Sequence, residues 1–274
     1  MMDQRLTPAN GRVAASYLKG KVRAKSFSIG LEEQCKVGVV DLLNAPGGDR
    51  VSQLCLGDRV RVFERFQGFA YVQVKKDNYC GYITETLLEP CSQLSHWVCV
   101  PGSTLYSEAN FKKKEICDLY FGDQVLVIND DGTWAELNDG GFIPSCHLRE
   151  LKIKFSDHVF VSRLLLNSPY LWGGCSRKGI DCSGLVQLVL HACGIECPRD
   201  TDMQEASLGR NIKWSKAMKG DLVFWRGHVG VLIKKNVLLH ANAYHMSVVE
   251  EDFELAKLRI ENNNGGKVTS LKRI

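Results

Sequence analysis

The chain has 274 residues, 45% hydrophobic and 24% charged, with 35 Lys and Arg against 31 Asp and Glu for a net charge of +4. That length and apolar share suit two or three globular domains with ordinary cores, while a mild charge without a Lys/Arg block argues against nucleic-acid binding. The opening Met1-Met2-Asp3-Gln4-Arg5-Leu6-Thr7-Pro8 has no apolar h-region, and no later run approaches the ~18 apolar residues of a membrane span; the expectation is a soluble, cytoplasmic protein with no membrane partner.

Residues 1–20 form a mixed polar segment with a short helical possibility at Ala14-Ala15-Ser16-Tyr17-Leu18 and no assignable chemistry. Two stretches then read alike. Gly57-Asp58-Arg59-Val60-Arg61-Val62-Phe63 is followed by Gly68-Phe69-Ala70-Tyr71-Val72 and Gly81-Tyr82-Ile83. Gly122-Asp123-Gln124-Val125-Leu126-Val127-Ile128 is followed by Gly132-Thr133-Trp134-Ala135 and Gly141-Phe142-Ile143. Short alternating runs bounded by Gly or Asp turns, repeated in the same order, are the pattern of small antiparallel barrels. Val39-Val40-Asp41-Leu42-Leu43 and Trp97-Val98-Cys99-Val100 supply opening strands. The pair resembles tandem bacterial SH3-like domains, at 21–90 and 91–151, with 152–274 left for a third domain. Tyr79, Tyr82 and Trp134 in such barrels belong more often to core or rim than to a ligand site.

In the third domain, Asp181-Cys182-Ser183-Gly184 runs into apolar positions 185, 188, 189 and 192, one face of a helix that Gly194 stops. Cys182 therefore sits in the first turn, where unpaired N–H groups and the helix dipole favour a thiolate and lower its pKa. The bland alternative is a small buried residue. Asp181 is both a good N-cap and a carboxylate beside the nucleophile, expected to point away from the sulfur towards a substrate cation.

Next, Gly220-Asp221-Leu222-Val223-Phe224-Trp225, His228-Val229-Gly230-Val231-Leu232-Ile233 and Val237-Leu238-Leu239-His240-Ala241 read as successive strands. Antiparallel neighbours joined at Lys234-Lys235-Asn236 set His228 and His240 side by side. A nucleophile, a base and a group orienting the base is the logic of activated-nucleophile catalysis; Cys182, His228 and His240 take those roles. The 11 cysteines are scattered, odd in number and without C-x-x-C pairs. Cys193 and Cys197 near His191 come closest to a metal site, but helical periodicity explains them better. The expectation is reduced thiols, no metal and no cofactor.

From about Phe155 to Ile260 the chain resembles the NlpC-type cell-wall cysteine peptidases. The resemblance is carried by Tyr170, Trp172-Gly173-Gly174, Asp181-Cys182-Ser183-Gly184, Pro198-Arg199-Asp200-Thr201 with Gln204, Gly220-Asp221-Leu222-Val223-Phe224, His228-Val229-Gly230 and His240-Ala241. Cys175 stands where a small hydroxyl residue is usual and Thr201 where serine is commoner. The resemblance implies an α+β papain-like catalytic domain behind two small all-β barrels. It also implies a Cys182–His228–His240 triad with Tyr170 helping to hold the oxyanion, and hydrolysis of the bond between γ-D-glutamate and the diamino acid, diaminopimelate or lysine, of peptidoglycan stem peptides. Relatives whose SH3-like domain closes the cleft prefer stems with a free N-terminal L-alanine; Asp181, with Ser183 and Thr201, would then meet the ammonium, and Tyr79 would close the pocket. A papain-like acyltransferase and a non-enzymatic wall-binding protein are the rival readings.

Overall fold

The computed structural model describes residues 2–274, apart from the side chain of Asn264. The chain divides into two compact units that meet in sequence at Leu151 and Lys152.

The first unit is all β. Seven antiparallel strands run in the order Arg50–Cys55, Val39–Leu43, Cys80–Thr84, Phe69–Val74, Arg59–Phe66, Leu31–Cys35 and Leu88–Pro90. The alternation read at 59–63 buries Val60 and Val62 and turns Arg59 and Arg61 outward. A second set of strands, in sheets of three and five, encloses Val98, Leu105, Leu119, Val125, Ala135, Leu137 and Ile143. The Gly-Asp repeat has a common cause in both halves. Gly57 and Gly122 take φ of +80° and +96°, a region open mainly to glycine, and each following aspartate accepts the amide three residues back, Cys55 N to Asp58 and Tyr120 N to Asp123, both at 2.8 Å.

The N-terminal segment differs from its expectation. Val13–Ala15 is a strand pairing in parallel with Ser26–Ser28, and only Ser16–Leu18 turns, as 3-10. A helix so short has a nucleation cost that its few hydrogen bonds do not offset. What holds the segment is burial: Val13, Ala15 and Leu18 pack against Phe63, Tyr71, Cys80 and Tyr82 of the first sheet.

The second unit is α+β. Its six-stranded sheet runs Arg210–Asn211, Ser270–Arg273, Leu222–Trp225, His228–Lys234, Val237–Asn242, Ser247–Asp252, with antiparallel pairing throughout. Helices α1 (His158–Leu164), α2 (Cys182–Ala192), α3 (Thr201–Ser207) and α4 (Phe253–Ile260) surround it. The expected apolar face brings α2 onto the two histidine-bearing strands, and Gly194 ends the helix at φ +74°. A core of Val223, Trp225, Leu232, Leu238, Phe253, Ala256 and Leu271 ties sheet, α4 and the C-terminal strand together. Full burial of such side chains stabilises by about 1.5–3 kcal/mol each, so the strands carrying the histidines are among the best-anchored parts of the unit. No helix among the described residues is long and apolar enough to cross a membrane.

Candidate active site

Cys182 is the first residue of α2, and Asp181 caps it by accepting the Gly184 amide at 2.7 Å. The glycines around it permit unusually close backbone approach: a side chain on Gly184 would strike the carbonyl of Gly174, and one on Gly174 the carbonyl of Gly179. The thiol is buried. Its sulfur lies 3.9 Å from Thr201 Oγ1 and 4.0 Å from the Gly227 carbonyl, and the Val229 amide donates to it. Residues 227 and 229 flank His228, so the nucleophile packs on the turn that presents the histidine.

The hairpin places the two histidines in contact. His228 Nε2 is 2.7 Å from His240 Nδ1, and His240, wholly buried, extends its other nitrogen to Glu251 Oε1 at 2.6 Å. Neither Glu251 nor Arg259, which pairs with it, was among the residues that sequence reasoning singled out.

Asp181 has a partner that the sequence did not indicate. Arg199, 1% exposed, forks onto it with Nη1 on Oδ1 at 3.0 Å and Nη2 on Oδ2 at 2.7 Å. The carboxylate also accepts from the amides of Gly173 and Gly184 and from Ser183 Oγ. It therefore faces an internal guanidinium, and a substrate ammonium would have to share it. Ser183 itself accepts from Arg199 Nη1 at 2.9 Å and so belongs to the same buried network. Thr201 opens α3 against the sulfur. Gln204 holds the loop before α3 to α2, donating to the carbonyls of Ser183 and Pro198. Tyr170 is half-buried, and burial followed by the nearby Cys182 and Asp181 pushes its hydroxyl up to about 12, so it remains a neutral donor at pH 7. Tyr79 is buried within the first unit, its amide donating to Asp77 Oδ1 at 3.0 Å.

The expected depression of the Cys182 pKa is reversed. Burial, with the Asp181 charge adding to it, pushes the thiol up to about 11. Burial chiefly, then the neighbouring His240 and Arg259, holds His228 down near 3 against the pull of Glu251. A helix N-terminus is worth a few tenths to ~2 kcal/mol, less than the penalty for a charge out of water. At pH 7 the thiol and the imidazole are therefore both neutral, the state from which a base takes the sulfur proton as a substrate takes up the developing charge in nucleophilic acyl transfer.

His191 places Nε2 3.2 Å from the Cys197 carbonyl. Among the described residues no three His, Cys, Asp or Glu side chains converge as metal ligands, and the 11 cysteines are free thiols.

Residues 167–257 match the NlpC/P60 family, and residues 42–88 match the bacterial dipeptidyl-peptidase Sh3 domain. Among curated proteins the chain is similar to dipeptidyl-peptidase 6 of Lysinibacillus sphaericus, 27% identical over 199 residues that cover 67% of this chain and 72% of that protein. It is also similar to a gamma-D-glutamyl-L-lysine dipeptidyl-peptidase of Bacillus cereus, 30% identical over 134 residues covering 46% of this chain but only 39% of the relative. The crystal structure of an NlpC/P60 family protein from Bacillus cereus superposes with a TM-score of 0.73, covering 88% of this chain and 99% of that one at 19% identity, which speaks for the fold.

Proposed function

The chain carries an NlpC/P60 peptidase domain behind a bacterial SH3 domain, and from that premise we propose that it hydrolyses the amide between γ-D-glutamate and the diamino acid, diaminopimelate or lysine, of peptidoglycan stem peptides. The preferred substrate in this reading is a free stem peptide with an exposed N-terminal L-alanine, met in the cytoplasm. The observation that carries it is the array itself: a buried Cys182 at a helix start, packed on the turn of His228, with His228 Nε2 2.7 Å from His240 Nδ1. The named bond draws support from the Bacillus cereus relative, whose name specifies a γ-D-glutamyl-L-lysine linkage.

In this reaction His228 uses Nδ1, the nitrogen not engaged with His240, to take the Cys182 proton. The sulfur attacks the substrate carbonyl, and the oxyanion is met by backbone amide at the start of α2 and by the Tyr170 hydroxyl. His228 returns the proton to the departing amine, and water then cleaves the thioester with the same histidine as base. Losing one oxyanion donor costs about 10²- to 10³-fold in rate, so Tyr170→Phe is expected to lower kcat within that range. A free ammonium would be drawn to the edge of Asp181, shared with Arg199, with Ser183 and Thr201 close by.

The test is mass spectrometry of products from free L-Ala-γ-D-Glu-diaminopimelate, its lysine counterpart, their N-acetylated forms and intact peptidoglycan, with Cys182→Ala as control. Cleavage of the free peptides alone supports the proposal. Equal cleavage of acetylated peptides removes the amine-reading role, and cleavage of none, with acyl transfer or wall binding instead, overturns the peptidase reading.

A further inference from the structure

The histidine pair does not end at His240. Its Nε2 is 2.6 Å from Glu251 Oε1, and Arg259 grips the same carboxylate, Nη1 reaching Oε2 at 2.6 Å and Nη2 reaching Oε1. We infer that Glu251, held by Arg259, is a positioning residue that fixes the tautomer of His240 and, through it, selects the nitrogen of His228 that receives the Cys182 proton. The inference rests on Cys182 and His228 being the reacting pair of the proposed peptidase.

An ionised carboxylate only accepts, and Glu251 is held ionised: burial opposes it, but the bonds from Arg259 and His240 bring its pKa down to about 2. His240 Nε2 must then carry a proton. His240 is itself kept neutral, since burial lowers its pKa, so its Nδ1 is a bare lone pair. The 2.7 Å contact with His228 is then a bond in which His228 Nε2–H donates and His240 accepts. A neutral His228 with its proton on Nε2 has Nδ1 free for the thiol proton. Reversing the tautomer of His240 would put two N–H groups face to face, or oblige His228 to hold its proton on the nitrogen that must receive one.

A competing donor stands in the same place. Asn242 Nδ2 lies 3.0 Å from His240 Nε2, and its amide is oriented by Oδ1 accepting from the His245 backbone at 2.8 Å. If Asn242 were the true donor, Nε2 would be bare and the whole chain of protons would invert. The carboxylate contact is shorter and charge-assisted, the stronger of the two types, and a carboxylate against a bare nitrogen would be lone pair on lone pair. Arg259 explains why Glu251 does not drift: it holds both carboxylate oxygens, and its guanidinium is itself seated 4.4 Å from the centre of the Tyr244 ring. The other charged or titratable groups bearing on His240 are Arg259 and His245, both of which oppose its protonation.

The experiment reads the tautomer directly. In ring-¹⁵N-labelled full-length protein at pH 7, with the His240 signals identified by their loss in His240→Asn, Nε2 should be protonated and Nδ1 bare. A protonated Nδ1 overturns the proposal, and the tautomer itself is read in the wild-type protein, with His240→Asn used only to assign the signals. Glu251→Leu should then give a mixed or inverted tautomer, and kcat should fall at least about 10-fold, up to the roughly 10⁴-fold that a wrong histidine tautomer costs a serine-protease triad, with KM little changed. Glu251→Gln, whose amide oxygen can still accept from Nε2–H, should recover part of that loss. A Leu variant with the wild-type tautomer and wild-type kcat overturns the role. Correct tautomer without peptide hydrolysis leaves the positioning intact and defeats the reaction assigned to the site, so the two failures are distinguishable.

Discussion

Asp181 and Arg199 meet as a two-pronged ion pair inside the second unit, one prong at 3.0 Å and the other at 2.7 Å, with the guanidinium 1% exposed. The pair locks the residue before the nucleophile to the loop before α3, which also carries Thr201 against the sulfur. Removing one partner of a buried pair leaves the other charge uncompensated, at a cost of about 3–5 kcal/mol. Arg199→Met should therefore lower the unfolding midpoint of the second unit sharply, while Asp181→Asn in combination with it should restore much of the loss, because neither charge is then stranded. Urea unfolding of the single and double variants checks this; equal destabilisation by both would show that the charge pairing is not what matters.

Gly230 sits on the strand that His228 opens, and its missing side chain is what lets the next strand approach. A methyl there would lie 2.7 Å from Leu238 Cδ1 and 3.1 Å from His240 Cβ. Overpacking of this kind costs about 1–3 kcal/mol, and relief comes from the Leu238 side chain together with a small shift at His240. Gly230→Ala should leave a folded protein with kcat/KM measurably reduced, by less than the roughly 100-fold that a misplacement of about 1 Å costs. Circular dichroism with steady-state kinetics separates the outcomes; unaltered kinetics in a folded variant would show that the hairpin has slack.

Cys182 and His228 have displaced pKa values in opposite senses, the thiol raised to about 11 and the imidazole lowered to about 3, both chiefly by burial. The sign is that of a neutral pair: at pH 7 the thiol is below its pKa and the imidazole above its own. Alkylation of Cys182 by iodoacetamide should accordingly be slow at pH 7 and should rise through pH 9 towards 11, with Cys182→Ala identifying the site among 11 cysteines. A rate already level below pH 7 would mean a preformed thiolate and imidazolium, and would return the helix dipole to the leading place.

The nucleophile and its hairpin were legible because each depends on local pattern: positions 185, 188, 189 and 192 give the helix, and continuous apolar runs broken at 226–227 and 235–236 give the strands. The repeated Gly-Asp turns were legible for the same reason. What the sequence hid depends on register and burial. Glu250 and Glu251 look interchangeable, yet pairing of His240 with Val249 sends Glu251 to the histidine and Glu250 to Arg163 at 2.8 Å. Arg199 is 18 positions from Asp181, across a loop with no period. The thiol pKa went the other way because the helix start is visible in the sequence and the depth of the sulfur is not.

Asp123 bridges the two halves of the β unit. It is buried, accepts from the amides of Tyr120 at 2.8 Å and Leu56 at 3.3 Å, and burial, opposed by those bonds and aggravated by Asp58, raises its pKa from 3.8 to about 8. A folded-state pKa above the unfolded one means that the folded form binds the proton more tightly. The stabilising contribution is therefore complete below pH 3.8, declines as pH rises, and is lost once pH passes about 8. Since Leu56 belongs to the first half of the β unit and Asp123 to the second, the amides beside this bond should lose hydrogen-exchange protection over that window, after correction for intrinsic rates. Asp123→Asn keeps an acceptor for one amide and has no charge to bury, so its protection should be lower at pH 4 and nearly independent of pH. The same decline in the variant as in the wild type would locate the titration elsewhere, with Asp58 and its Lys76 partner the next groups to change.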